Sequence, residues 1–447
     1  MAHRYEVAAR MDRLPITRTH RLAAFAVGLG LFFDVYEVFL AGILSAVLVR
    51  DFHLPKTWLP ALLGSGFFGM AIGATLLGRL ADRVGRRKAF LLGLWFYSLF
   101  SFIGAFSTGP VMLLVTRFLA GIGIGAEPPL ADAYLGDLLP AKERGRYTAW
   151  AYTLGFLGVP LVGFLGRASA SMAPWGIAGW RWMFVIGALG SVILYPLRRR
   201  LPESPRWLES MERHDEAREG VRRLEIEAEG EGSALPAPAP DAPKIAESGR
   251  LRDLWVSPYR RRMVMMIVFQ LLQPFAYYGF GTLVPLVLGA KGYTVVKSLL
   301  FSGITFIGYP IGSMLSLPIL ERVERKYIVV GALATMAVLG IAFGSANSET
   351  WILVLGLSYT MVSNVFSNGF HVYQAEIFPT RLRGVACGGT YALSRLSSAS
   401  MPFVLVPFLD THGAVALFAV IAVAVVLNGC NVALLGPRTT GRALEDI

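Results

Sequence analysis

Apolar runs of about 20 residues, each long enough to cross a hydrocarbon core, follow one another along almost the whole chain. Short polar stretches separate them. The pattern predicts spans at 21–49, 58–80, 89–107, 110–136, 147–166, 181–198, 263–289, 298–320, 327–345, 351–375, 384–409 and 413–435. The expected fold is an all-α integral membrane protein of twelve transmembrane helices. The longest break separates an N-terminal six-helix bundle (1–198) from a C-terminal one (263–447). Between them, 199–262 reads as a cytoplasmic loop. Its charged part, 205–229, predicts a surface helix, and 230–248 (GEGSALPAPAPDAPKIAES) reads as a flexible linker.

Composition supports this reading. Hydrophobic residues make up 54% and charged ones 16%, against about 25% charged in a soluble domain. A formal net charge of +12 would suit a nucleic-acid partner, but its placement argues against one. The loops on the side of the chain ends carry 34 Lys and Arg; the opposite loops carry six, and Arg117 and Arg395 lie within spans. Omitting the long central loop leaves 20 against six. The positive-inside rule therefore predicts cytoplasmic termini. The first twenty residues lack the apolar stretch of a signal peptide, so the first span is expected to be retained. Cys387 and Cys430 both lie in apolar runs, which excludes a disulfide framework; no metal site and no cofactor are expected. Gly121-Ile-Gly123-Ile-Gly125 follows no strand and reads as helix packing rather than a nucleotide loop. No Walker loop or HExxH motif occurs, so an enzyme is not expected.

The two bundles match without gaps at an offset of 239 residues. Asp82-Arg83-Val84-Gly85-Arg86-Arg87 falls on Glu321-Arg322-Val323-Glu324-Arg325-Lys326. Asp137 to Pro140 falls on Glu376 to Pro379, and Gly64, Gly69 and Gly73 fall on Gly303, Gly308 and Gly312. Such parallel repeats place a binding site at their interface. Asp82, Arg83, Arg86 and Asp137 in one half, with Glu321, Arg322, Arg325 and Glu376 in the other, are candidate cytoplasmic gate residues. The alternative is that these loops act only as topology anchors.

Six ionisable residues fall inside spans: Asp34, Glu37, Arg117, Glu127, Asp132 and Arg395. Each costs at least about 2.5–3.5 kcal/mol at the bilayer centre, so they face a wet cavity or one another. Asp34 and Glu37 share one helical face. Repulsion between like charges favours a proton on one of them, which makes Asp34 the leading proton carrier, with Glu37 and Glu127 as further coupling candidates or structural partners. Arg395 is the expected substrate anchor, because guanidinium binds carboxylate through two parallel hydrogen bonds; the alternative is a structural ion pair. Gln270, Gln273, Tyr277, Tyr278, Asn364, Asn368 and Arg117 are candidate cavity residues, though polar groups also tie helices together. His371 reads as a plain polar contact, and Asp132 has no assigned role.

GRLADRVGRRK at 78–88 resembles the signature loop of the major facilitator superfamily. TRF at 116–118, PESPRWL at 202–208 and EIFPTRLRG at 376–384 resemble its sugar-porter branch. The seventh span departs from hexose carriers: in Gln270-Leu-Leu-Gln273-Pro-Phe-Ala-Tyr277-Tyr278-Gly279 the paired glutamine is absent. The acids of Phe33-Asp34-Val35-Tyr36-Glu37 and Gly123-Ile-Gly125-Ala-Glu127-Pro-Pro129, with Arg395, resemble those of bacterial niacin transporters and aromatic-acid/proton symporters. The resemblance implies proton-coupled uptake of a small organic anion, with the lipid bilayer, protons and a small-molecule substrate as partners. It also implies a monomer in the cell (inner) membrane. A proton-driven exporter, suggested by Gly155, Gly158, Pro160 and Gly163, and a sugar/proton symporter are the alternatives.

Overall fold

The computed structural model describes residues 6–232, 234–238, 251–378 and 380–439. Eleven of its helices are long and apolar enough to cross a membrane. In order they are Arg18–Asp51, Leu59–Val84, Arg86–Ala105, Pro110–Leu138, Arg144–Ser169, Gly179–Arg199, Tyr259–Ala290, Val295–Leu320, Arg325–Ser345, Glu349–Glu376 and Ala386–Leu435. The last is 50 residues long, more than twice what one crossing needs. It breaks at Gly413, whose φ of 78° is a left-handed conformation suited to glycine. It therefore makes the eleventh and twelfth spans of an all-α bundle. Helices are the form these runs must take, because hydrocarbon offers no partner for an open backbone group.

Three spans are interrupted mid-membrane, at Gly125, Phe156 and Phe306. Each interruption lies four residues before a proline: Pro129, Pro160 and Pro310. Proline has no N–H to give to the carbonyl four residues back, so the helical ladder ends there and restarts.

The repeat is visible in the packing. A side chain at Gly69 or Gly73 would collide with the carbonyl oxygens of Phe118 and Ile122; at Gly308 or Gly312 it would collide with those of Leu357 and Met361. The second and fourth spans thus cross as the eighth and tenth do, through positions related by the same 239-residue offset. The loop ion pairs repeat as well. Arg86 Nε lies 3.6 Å from Asp137, and Arg325 Nε lies 3.4 Å from Glu376.

The face carrying both chain ends, here called the terminal face, holds a small subdomain. Helices Pro205–Ser210 and His214–Gly230 form where a surface helix was expected. An N-terminal helix, Glu6–Asp12, packs on them through Val7, Met11, Val221 and Leu224. Glu225 accepts from Arg10 and Arg13 at 2.6 Å, contacts that hold its carboxyl below the ordinary range. Most of the 230–248 linker lies outside the described residues.

Candidate functional site

A cavity of about 100 Å³ lies between the two six-helix halves. On the same measure one water needs roughly 10–15 Å³, so the space suits one small solute. The first, fourth and fifth spans contribute Asp34, Phe39, Ile124, Pro128, Tyr152, Gly155 and Phe156. The seventh, tenth and eleventh contribute Gln270, Gln273, Tyr277, Tyr278, Phe366, Phe370, His371, Gln374, Tyr391 and Arg395. Two of the proline-induced breaks, beside Ile124 and at Phe156, fall in this wall.

Arg395 is the cationic centre of the wall and is only 7% exposed. Its Nη1 donates to the Tyr278 hydroxyl at 2.6 Å and its Nη2 to the Tyr391 hydroxyl at 2.7 Å. The guanidinium also lies 5.2 Å and 4.6 Å from the centres of those two rings. Its Nε has no hydrogen-bond partner, and among the described residues no carboxylate lies within ion-pair distance. Two phenols orient the cation and leave its charge uncompensated.

Asp34 faces the same cavity from the first span. It is buried, and neither carboxylate oxygen has a hydrogen-bond partner. Glu37 does not join it. The sequence places both acids on one face, yet the 60° between positions three apart is enough to point Glu37 into the first half. There it meets Arg117 at 2.5 Å, accepts a hydrogen bond from Ser101, and has its backbone carbonyl held by Arg117 Nη2 at 2.7 Å. Arg117 therefore lies behind the cavity wall, engaged by protein.

Glu127 likewise sits behind the wall, paired with Arg198 through both guanidinium nitrogens. Asn364 donates to the Tyr309 carbonyl at 2.6 Å and Asn368 to the Ser316 hydroxyl at 2.7 Å. Both tie the tenth span to the eighth rather than lining the cavity. Gln270, Gln273, Tyr277 and Tyr278 do line it, and the Tyr277 hydroxyl donates to Asn364 at 3.4 Å.

At the terminal face Arg86 also bonds Asp82 at 2.5 Å, while Arg83 and Arg322 are exposed. The Glu321 side chain lies outside the described residues. Sequence reasoning missed Glu203, which accepts from the backbone N–H of Arg86 at 3.0 Å and so caps the third span. It also missed Tyr152, Tyr391 and Gln374 as cavity residues, and Arg198 as the partner of Glu127.

Residues 32–447 match the sugar (and other) transporter family. The chain belongs to that family. It is 31% identical to the putative metabolite transport protein YyaJ of Bacillus subtilis, across 98% of this chain and 96% of the relative. It is 29% identical to the niacin transporter NiaP of Acinetobacter baylyi across 99% of both. Identity to the gentisate transporter of Corynebacterium glutamicum is 27%, over 86% of this chain and 80% of that one. A solved structure of the xylose transporter XylE from E. coli, described as partially occluded and inward open, superposes with a TM-score of 0.73. It covers 95% of this chain and 99% of the other at 20% identity. The protein is therefore a multi-pass membrane transporter of the major facilitator superfamily that moves a small molecule, and it is not an enzyme.

Proposed function

We propose that this transporter takes up a small organic anion, aromatic or another monocarboxylate, together with a proton, by alternating access of bundles 1–198 and 263–447 about the central cavity. The observation that carries this reading is Arg395: a buried guanidinium, aimed by two tyrosines, with no carboxylate of the described residues within ion-pair distance. A buried charge without a counter-charge is costly; a bound carboxylate removes that cost. The names of the niacin and gentisate transporters agree with an anionic cargo. Asp34 is the proton carrier in this scheme. An ionised carboxylate buried without a partner is also costly, so its protonation is linked to wetting of the cavity. Glu37 and Glu127, each held by an arginine, are structural partners first and coupling residues second. The Arg86–Asp137 and Arg325–Glu376 pairs close the terminal face in one state. That face is cytoplasmic by charge bias, with 199–262 connecting the bundles there.

Thermal shift of the purified protein tests the reading. Aromatic monocarboxylates should stabilise the parent, and Arg395→Ala should abolish the shift. Stabilisation by xylose with no response to carboxylates would overturn it in favour of a sugar carrier, a reading that Gln270 and Gln273 in the wall keep physically open.

A further inference from the structure

Asp132 is used neither by the family resemblance nor by the proposed coupling scheme, and it is exposed within a span. It lies one helical turn beyond Pro128, on the same face, and Pro128 lines the cavity. The turn leads toward the terminal end of the fourth span at Leu138. Asp132 therefore sits at the terminal-side mouth of the cavity, where its Oδ1 accepts from the Tyr152 hydroxyl at 2.9 Å. The Tyr152 ring faces the His371 ring across the boundary between halves, with centroids 6.0 Å apart and planes 34° from parallel. His371 is held from its own side: its Nδ1 lies 3.2 Å from the Gln374 amide nitrogen, and Gln374 is reached by Gln270 at 3.4 Å. Each ring is thus fixed from behind by its own half, and the rings meet across the boundary beside the Thr153–Ser313 hydroxyl contact at 2.9 Å.

The opposite side is closed differently. Gly163 and Gly303 bring the fifth and eighth spans so close that a side chain on Gly163 would lie 2.5 Å from the Gly303 Cα. Gly42 packs against the Thr282 backbone in the same way. Backbone contact of that kind cannot be loosened by turning a side chain, whereas a ring pair can.

We infer that Asp132 is a positioning residue that holds Tyr152 against His371 as the terminal-side gate of the substrate cavity. The inference rests on the transporter fold and not on the identity of the cargo.

The test uses a Cys387→Ser, Cys430→Ser background carrying Ser367→Cys as a cavity reporter, since Ser367 lines the cavity. Maleimide labelling is timed from each face in membrane vesicles of both orientations. Asp132→Ala and Tyr152→Phe should each speed labelling from the terminal face about 2- to 12-fold, the weight of one hydrogen bond. Together they should do no more than either alone. Labelling from the opposite face should not change. Asp132→Asn keeps an acceptor for the phenol and should stay near the parent rate. Additive effects, faster labelling from both faces, unchanged rates, or Asp132→Asn behaving like Asp132→Ala would each overturn the assignment.

Discussion

Position for position at the 239-residue offset, the first half places Gly30, Ala41, Ala120 and Ala131 where the second places Phe269, Phe280, Tyr359 and Phe370. The small residues make room for charge. A side chain on Gly30 would strike the Arg198 guanidinium, and Arg198 is the partner of Glu127. The counterparts of Glu37 and Arg117 are Ala276 and Gly356, and that of Glu127 is Phe366. The second half fills the same volume with rings: Phe269 stacks on Phe370 at 3.8 Å and Phe280 on Tyr359 at 4.1 Å. One backbone scaffold thus carries two kinds of core. One is tied by buried ion pairs and one by aromatic stacking, and into the shared cavity the first half projects Asp34 and the second Arg395.

The comparison is broken most severely by removing one member of an ion pair. Arg117→Met leaves the Glu37 carboxylate buried and unpaired, and should cost about 3–5 kcal/mol. Glu37→Met combined with Arg117→Met should recover most of that loss, because neither charge then remains. Thermal unfolding in detergent measures both. A double variant no more stable than the single one would show that the pair does more than neutralise itself.

In the second half the same kind of change should be graded by volume. Phe280→Leu keeps an apolar side chain but leaves a small cavity and loses the stacked pair, so it should cost about 1–2 kcal/mol, read by the same unfolding assay. A loss as large as that of Arg117→Met would remove the distinction between the two cores.

Much of the fold was legible in the sequence because hydrophobic run length reports membrane crossings directly, and because one offset aligned two loops and three glycines. Arg395, Gln270, Gln273, Tyr277 and Tyr278 were legible as cavity residues, since polar groups in those spans have few places to go. The pairings were not. Glu127 and Arg198 are 71 residues apart and Glu37 and Arg117 are 80 apart, and no periodicity within one helix states which neighbour it will face. Arg198 was counted among loop arginines because it ends its span. Asn364 and Asn368 carry the same polarity as a cavity residue; only the crossing with the eighth span turns them toward Tyr309 and Ser316. The breaks at Gly125 and Phe156 each precede a proline by four residues, yet Pro274 and Pro285 leave the seventh span continuous, so proline spacing alone does not mark the cavity wall.

The smallest expected difference between the halves lies in the loop ion pairs. Each is partly exposed and worth about 0–1 kcal/mol in isolation. Arg86, which bonds Asp82 and Asp137, and Arg325, which lies beside Glu376, should matter to a similar, small extent. Cysteine accessibility at the terminal face should rise modestly in both Arg86→Ala and Arg325→Ala. A rise in one variant alone would mean that the repeated loops do not share the work.

The central claim is that the halves divide the work, with Asp34 coupling the proton and Arg395 holding the cargo. Proteoliposomes loaded with a labelled monocarboxylate that the parent binds, under an imposed pH gradient, test it most directly. Arg395→Ala should lose both exchange and accumulation, with affinity lowered about 10- to 150-fold, the weight of a charge-assisted bidentate contact. Asp34→Asn should retain downhill exchange and lose uphill accumulation. Concentration of the anion by Asp34→Asn under the same gradient would contradict the claim and move the proton site to Glu37 or Glu127.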